Sequence, residues 1–346
     1  MTWLTWRQFR AAAAMMGAAL VVLAAALAFT GPGVADDYST GIAACTAQTD
    51  GCASFLDRFF QQHQTGFLAV TAAVLLLPAV IGLFWGAPLI TRELESDTHQ
   101  LVWNQSITRT RWLSAKLALT GLASMIAAGL VTLAVTWWSG PIDKAAGVSD
   151  FPRLGPVVFD ARGIVPIGYA AFAFTLGVVV GMLVRRTLPA MAITLAVFLA
   201  LQIAMPLLVR PHLFTPSHAT VKISSANVDG LSIRRKGGPI TLTMLSKAPD
   251  EGAWILSSRL IDAKGRTVHG SLPLSSASGP CAPGGSPADA AKTCFAEINR
   301  LGYRQEVTYH SSKRFWDFQW AETGIFLGLT AGLAGGCFWW IRRRQI

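Results

Sequence analysis

Six stretches of apolar residues, each about twenty long, dominate the pattern along this chain: 11–29, 66–90, 117–138, 163–184, 188–209 and 323–341. At a rise of ~1.5 Å per residue, such a run crosses a hydrocarbon core of ~30 Å, so the pattern predicts six transmembrane helices. Ahead of the first run, Trp3, Leu4, Trp6 and Phe9 alternate with polar residues, which fits an amphipathic entry helix over Met1–Arg10 lying on the membrane surface. A cleaved signal peptide is the other reading of this end, but the run exceeds the ~7–15 apolar residues of a signal core. Thr30-Gly31-Pro32-Gly33 follows the run, and Gly33-Val34-Ala35 has the small residues that reading would need as a cleavage site. In the second run, Pro78 and the closing Gly86-Ala87-Pro88 predict a bent or broken helix, because proline removes a backbone donor and crowds the preceding turn. Only Arg185-Arg186-Thr187 separates runs four and five, which makes them a tight helical hairpin.

Composition agrees with a bilayer: 52% of the 346 residues are hydrophobic and 14% charged, about half the usual charged share. A net charge of +10 would suggest nucleic acid in a soluble protein. Here the basic residues border the apolar runs, so they report topology, with anionic lipid as the neighbour and no nucleic acid expected. With the N-terminus inside, the cytoplasmic segments hold Arg7, Arg10, Arg92, Arg109, Arg111, Lys116, Arg185, Arg186, Arg342, Arg343 and Arg344. The two short outer loops hold only Arg58, Lys144, Arg153 and Arg162. That bias predicts both termini in the cytoplasm of a multi-pass cell-membrane protein. The cysteines point the same way. Cys45 and Cys52 share one outer loop, Cys281 and Cys294 another, and neither spacing suits a structural zinc knuckle, so two disulfides are expected. Cys337 stands alone in an apolar run.

Residues 210–320 form the one long connection. Ala219–Ser225, Pro239–Leu245, Ala253–Ile261 and Tyr303–His310 have strand-like alternation, Cys294–Leu301 suits a short helix, and Ser275–Pro287 is loop. The predicted fold class is therefore an all-α polytopic membrane protein with a small α+β extracellular domain between helices five and six. Its organisation is an entry helix (1–10), helices one to five (11–209) with a cytoplasmic loop at 91–112, the extracellular domain (210–320), and the last helix with a basic tail (321–346).

The chemistry is defined chiefly by what is missing. No apolar run contains Asp, Glu, Lys, Arg or His, and Gln202 is the most polar residue in them. Ion-coupled carriers need ionisable groups at depth, so any uphill work is expected to be driven from elsewhere. A P-loop requires Gly-Lys-Ser/Thr, and no Gly-Lys dipeptide occurs. The connection Thr91–Trp112 mixes Arg92, Glu93, Glu95 and Asp97 with Leu94, Leu101, Val102 and Trp103, as suits a helix lying at the membrane surface or in a protein groove, or an ordinary solvated loop that contains a helix. Glu93, Glu95 and His99 do not make a zinc hydrolase, since no second histidine has the required spacing. Gly324, Gly328, Gly332 and Gly336 recur every four residues in the last run, and Gly177 and Gly181 in the fourth. Such spacing serves close helix packing, within one chain or across a dimer, and packing within the chain is the expectation.

The stretches Phe84–Leu117 (FWGAPLITRELESDTHQLVWNQSITRTRWLSAKL) and Leu301–Arg344 resemble the permease subunits of type-2 ATP-binding-cassette exporters from actinobacteria. The resemblance implies a homodimeric permease that pairs with two copies of a cytosolic ATPase. It also implies that the entry helix and the 91–112 loop, with Arg92, Glu93, Glu95, His99 and Trp103, contact that ATPase. No cofactor is expected in this chain, which is then not an enzyme; ATP and magnesium belong to the partner. The expected function is export of an amphiphilic or hydrophobic compound. The large cysteine-bearing outer domain departs from many such exporters, and a membrane-anchored receptor or immunity protein that binds a ligand without transport is the alternative.

Overall fold

The computed structural model describes residues 2–46, 52–95, 108–146, 151–225, 227–233, 239–244, 250, 252–268, 271–275, 279–282 and 287–343. In chain order the helices are α1 (Thr2–Thr46), α2 (Ala53–Ile81), α3 (Pro88–Glu95), α4 (Arg109–Ala146), the single turn α5 (Pro156–Phe159), α6 (Val165–Val184) and α7 (Thr187–Ala204). Strands β1 (Ser217–Val221), β2 (Val228–Ile233), β3 (Pro239–Met244), β4 (Trp254–Ile261) and β5 (Ser271–Ser275) follow, then α8 (Pro287–Arg300), β6 (Arg304–His310) and α9 (Phe315–Arg343). The chain divides into two compact units, 1–213 with 315–346, and 214–314.

The first unit contains six spans, among the described residues, that are long and apolar enough to cross a membrane. They are Ala13–Thr46, Ala53–Glu93, Arg109–Ala146, Val165–Val184, Thr187–His212 and Ser312–Arg343. The span at α6 is the central one: 78% of its apolar window is buried, against 6% for α1. Phe172, Phe174, Val178 and Met182 of α6 are enclosed, and α2, α4, α7 and α9 pack around it.

Several helices outrun the apolar runs that announced them. At 45 residues, α1 extends over roughly 70 Å, more than twice a hydrocarbon core. Thr2–Arg10 is continuous with it rather than a separate element. Thr30-Gly31-Pro32-Gly33, beyond the end of the first apolar run, is helical as well. The reason lies in α4. A Cβ on Gly31 would lie 2.7 Å from the ring of Trp137, and Trp138 donates its indole N–H to the Thr30 hydroxyl at 2.9 Å. The glycine is there for close approach, and packing overrides the turn propensity of the tetrapeptide.

The break predicted in the second run is present. After Pro78, α2 gives way at Gly82–Gly86 to a π-helical turn before α3 begins at Pro88. The hairpin between α6 and α7 is also as tight as expected. Arg185 closes α6 in the left-handed conformation at φ 56°, and α7 starts two residues later. Cys45, near the end of α1, is bonded to Cys52, just ahead of α2.

The second unit holds two three-stranded antiparallel sheets, β1-β6-β4 and β2-β3-β5. Strands β1, β3, β4 and β6 answer to the four predicted ones. The sequence reading missed β2 and β5. Asp229-Gly230 interrupts the first at an irregular register, and Pro273 lies inside the second, which pairs along one edge only, where proline is tolerated. The predicted short helix begins seven residues earlier, as α8. It packs Cys294, Phe295 and Ile298 against Ile223, Leu260 and Leu272, and Cys294 is bonded to Cys281.

Candidate functional site

At the bundle end that carries the 91–112 connection, both carboxylates of the Arg-Glu-Leu-Glu stretch are tied into the membrane unit. Glu93 pairs with Lys116 of α4 at 2.5 Å, and Lys116 also donates to the Leu89 carbonyl at 3.5 Å. Both partners are largely covered, with side-chain exposures of 13% and 4%. Glu95 reaches the start of α7, where its carboxylate accepts from the Thr187 N–H at 2.7 Å and from the Thr187 hydroxyl at 2.8 Å. These are the orphan donors of a helix N-terminus, and an anionic acceptor suits both them and the helix dipole. The Thr187 N–H and hydroxyl, with Arg186 and Arg92 nearby, hold the Glu95 carboxyl below the usual carboxylate range. One turn earlier, the Thr91 and Thr187 hydroxyls are 2.9 Å apart. Thus α3, the short helix leading into the connection, is pinned to α4 by one carboxylate and to α7 by the other.

The same helix is seated on α6 by glycines. A Cβ on Gly177 would lie 2.5 Å from the Gly82 carbonyl oxygen and 2.7 Å from the Ala87 nitrogen. On Gly181 it would lie 2.8 Å from the Ala87 oxygen, and on Gly86 it would lie 2.4 Å from the Phe174 oxygen. The π-helical turn therefore sits backbone against backbone on α6. The fourth-run glycines pack within the chain, as expected. Those of the last run do not. Among the described residues nothing lies within 4 Å of a Cβ placed on Gly324, Gly328, Gly332 or Gly336, and none covers this face of α9.

At the opposite end, charges are buried in two clusters. Arg210, just past the π-helical end of α7 (Met205–Val209), donates to Glu322 of α9 through Nε at 2.8 Å and Nη2 at 2.9 Å. The same Nη2 reaches Asp160, and the Tyr169 hydroxyl of α6 donates to Glu322 and, at 3.3 Å, to Asp160. The guanidinium lies over the Phe159 ring, 4.2 Å from its centre. Arg210 and Glu322 are fully buried, Tyr169 and Asp160 nearly so. Burial, with Glu322 alongside and against the pull of Arg210, pushes the Asp160 carboxyl up to about 7.

The second cluster pairs Arg162 with Asp143 of α4 at 3.1 Å, and adds Thr71 of α2 at 3.4 Å and Ser139 at 2.9 Å. Between the two, Gln319 of α9 accepts from the N–H groups of Ile164 and Val165 at 2.8 and 3.0 Å, capping α6. Gly163 makes room for it, with a left-handed φ of 67° and no space for a Cβ beside the Gln319 amide.

These clusters bury ionisable groups at the ends of the apolar runs, outside the runs themselves, which remain uncharged. Each buried charge occupies the first position beyond an apolar run, or a connection between runs, so a search for uninterrupted apolar stretches passed over all of them. The available signal was position. Glu322 directly abuts the run at 323, Arg210 the run ending at 209, Arg162 the run at 163 and Lys116 the run at 117. Of the residues named for the 91–112 loop, Glu93 and Glu95 are placed as above, and Arg92 is on the same short helix. His99 and Trp103 lie outside the described residues. Among the described residues no group of His, Cys, Asp and Glu could hold a metal ion.

Six apolar spans and a helical bundle closed at both ends by buried ion pairs define a multi-pass membrane protein. Residues 17–210, from α1 through α7, match the ABC-2 membrane transporter related family, and the chain belongs to that family. The family is a membrane component of ATP-binding-cassette transport, not itself catalytic, and generally works with a cytosolic ATPase subunit. No curated protein and no solved structure compared with the chain gives a match.

Proposed function

We propose that this chain is the permease subunit of an exporter that moves an amphiphilic or hydrophobic compound out of the cell, driven by ATP and magnesium bound on a separate cytosolic ATPase. Two copies of the ATPase would act on a homodimer of the chain, with both termini cytoplasmic and residues 214–314 outside. The observation that carries this reading is the double anchoring of α3. A partner that pushes on the 91–112 connection acts, through Glu93 and Glu95, on the ends of α4 and α7 together, and through the glycine seam on α6. Arg92, Glu93 and Glu95 are in this view positioning residues for coupling, with His99 and Trp103 on the part of the loop a partner would meet. The uncovered glycine face of α9 supports a second copy as its neighbour.

The test is co-purification with the ATPase encoded beside this chain, followed by ATP turnover in vesicles with and without the permease. Stable association and permease-dependent turnover are expected. A chain that neither binds the ATPase nor alters its turnover, yet still confers a response that vanishes on deletion of Phe214–Arg314, would be a ligand-binding receptor instead.

A further inference from the structure

The cluster around Arg210 is unbalanced in charge. It contains two carboxylates, one guanidinium and one phenol, contributed by four different parts of the membrane unit: Asp160 after α5, Tyr169 on α6, Arg210 past α7 and Glu322 on α9. With both carboxylates ionised and the phenol neutral, it would carry one uncompensated negative charge on groups that are all buried. An uncompensated buried charge is costly enough that the group takes up a proton instead. The nearest other charges do not supply the balance. Arg162, two residues from Asp160, is committed to Asp143 through both Nε and Nη2, at 3.1 and 3.3 Å. Arg153 lies over the Phe315 ring at 4.0 Å. The Nη1 of Arg210 is also buried with no hydrogen-bond partner among the described residues, a donor left for a water or another small acceptor.

We propose that the Asp160–Glu322 pair, bridged by Arg210 and Tyr169, is a proton-binding site that fastens α9 to α6 and to the end of α7 when occupied. In the protonated state one carboxyl is neutral and the other is the counterion of Arg210, so the four groups are balanced. On deprotonation two carboxylates compete for one guanidinium, repel each other, and are relieved when α9 or the Asp160 segment moves to admit water. The position of Asp160, pushed up to about 7, sets occupancy to change near neutral pH. The direction follows from the same fact. The folded chain binds the proton more tightly than an exposed aspartate does, so the fastening is strongest in acid and fades as pH rises through neutrality. This inference does not depend on the exporter reading and makes the membrane unit responsive to pH at this end whatever it carries.

The experiment is the infrared difference spectrum of the full-length chain in lipid vesicles, titrated from pH ~5 to ~9, above the range where exposed carboxyls titrate. The wild type should show the carbonyl band of about one protonated carboxyl per chain, lost with a midpoint near neutrality. Asp160→Asn should abolish that titration. Tyr169→Phe keeps the ring against Phe326, centroids 4.6 Å apart, while removing a donor to both carboxylates. It should keep the band and raise proton affinity about three- to tenfold, moving the midpoint to higher pH. Absence of the band in the wild type, its persistence in Asp160→Asn, or an unmoved midpoint in Tyr169→Phe each overturns the proposal. Should Asp160→Asn fail to fold, the Tyr169→Phe midpoint decides alone.

Discussion

Gly177→Ala against Gly328→Ala separates a glycine that the fold requires from one that it leaves free. At Gly177 the new methyl would meet the Gly82 oxygen at 2.5 Å, the Ala87 nitrogen at 2.7 Å and the Gly86 carbonyl carbon at 3.0 Å. All three are backbone atoms of the π-helical turn and the start of α3, so no side chain can rotate aside. Comfortable contact needs ~3.5 Å, so α6 and the turn must part by roughly 1 Å. Overpacking of this kind costs about 1–3 kcal/mol. Alanine recovers about 0.5–1 kcal/mol of helix propensity, leaving a net loss of about 1–2 kcal/mol. At Gly328 nothing among the described residues lies within 4 Å, so only the propensity gain of about 0.5–1 kcal/mol remains. Reversible unfolding in mixed detergent micelles, followed by circular dichroism, gives both numbers. If Gly177→Ala is no less stable than Gly328→Ala, backbone contact between α6 and the π-helical turn is not what seats α3. On the exporter reading Gly177→Ala should also reduce permease-dependent ATP turnover, since it lifts α3 from α6.

Two further outcomes follow from the anchored ends of the bundle. Arg210→Met removes the cation that pairs with both carboxylates and leaves them buried, for an expected loss of about 3–5 kcal/mol in the same unfolding experiment, partly recovered by adding Glu322→Gln; a loss below about 1 kcal/mol would show that the cluster is not dry. Glu95 is favoured in its ionised form by Thr187, so its hold on α7 is complete above the ordinary carboxylate range and lost as pH falls through its lowered pKa. Hydrogen exchange at the Thr187 amide, corrected for its intrinsic pH dependence, should accelerate on that acid side in the wild type and show no such step in Glu95→Gln; identical profiles would dissociate Glu95 from the start of α7.

The spans themselves were legible in the sequence because twenty uninterrupted apolar residues have few other uses, and the break after Pro78, the Arg185-Arg186 hairpin and both cysteine pairs were legible for similarly local reasons. The continuation of α1 through Thr30-Gly31-Pro32-Gly33 was not legible, because a glycine that serves a turn and a glycine that admits Trp137 look alike until the partner helix is in place. The strands β2 and β5 were missed because Asp229-Gly230 and Pro273 break the pattern locally, while pairing with β3 holds them in the sheet. The stripe on α9 and the pair on α6 share one spacing, yet only the second meets a backbone.

What the sequence determined alone was the number of spans, their order and the place of the extra domain, since each depends on runs of neighbouring residues. What only the tertiary structure decided was the fate of the charges at the edges of those runs. Lys116, Arg162, Arg210 and Glu322 each sit one position beyond an apolar stretch, where a side chain can turn to water or be covered by a longer neighbour. Coverage depends on how far the adjacent helices extend and which residues they bring. Here they bring Glu93, Asp143 and Asp160, so charges that look like boundary markers along the chain become buried clamps across the bundle.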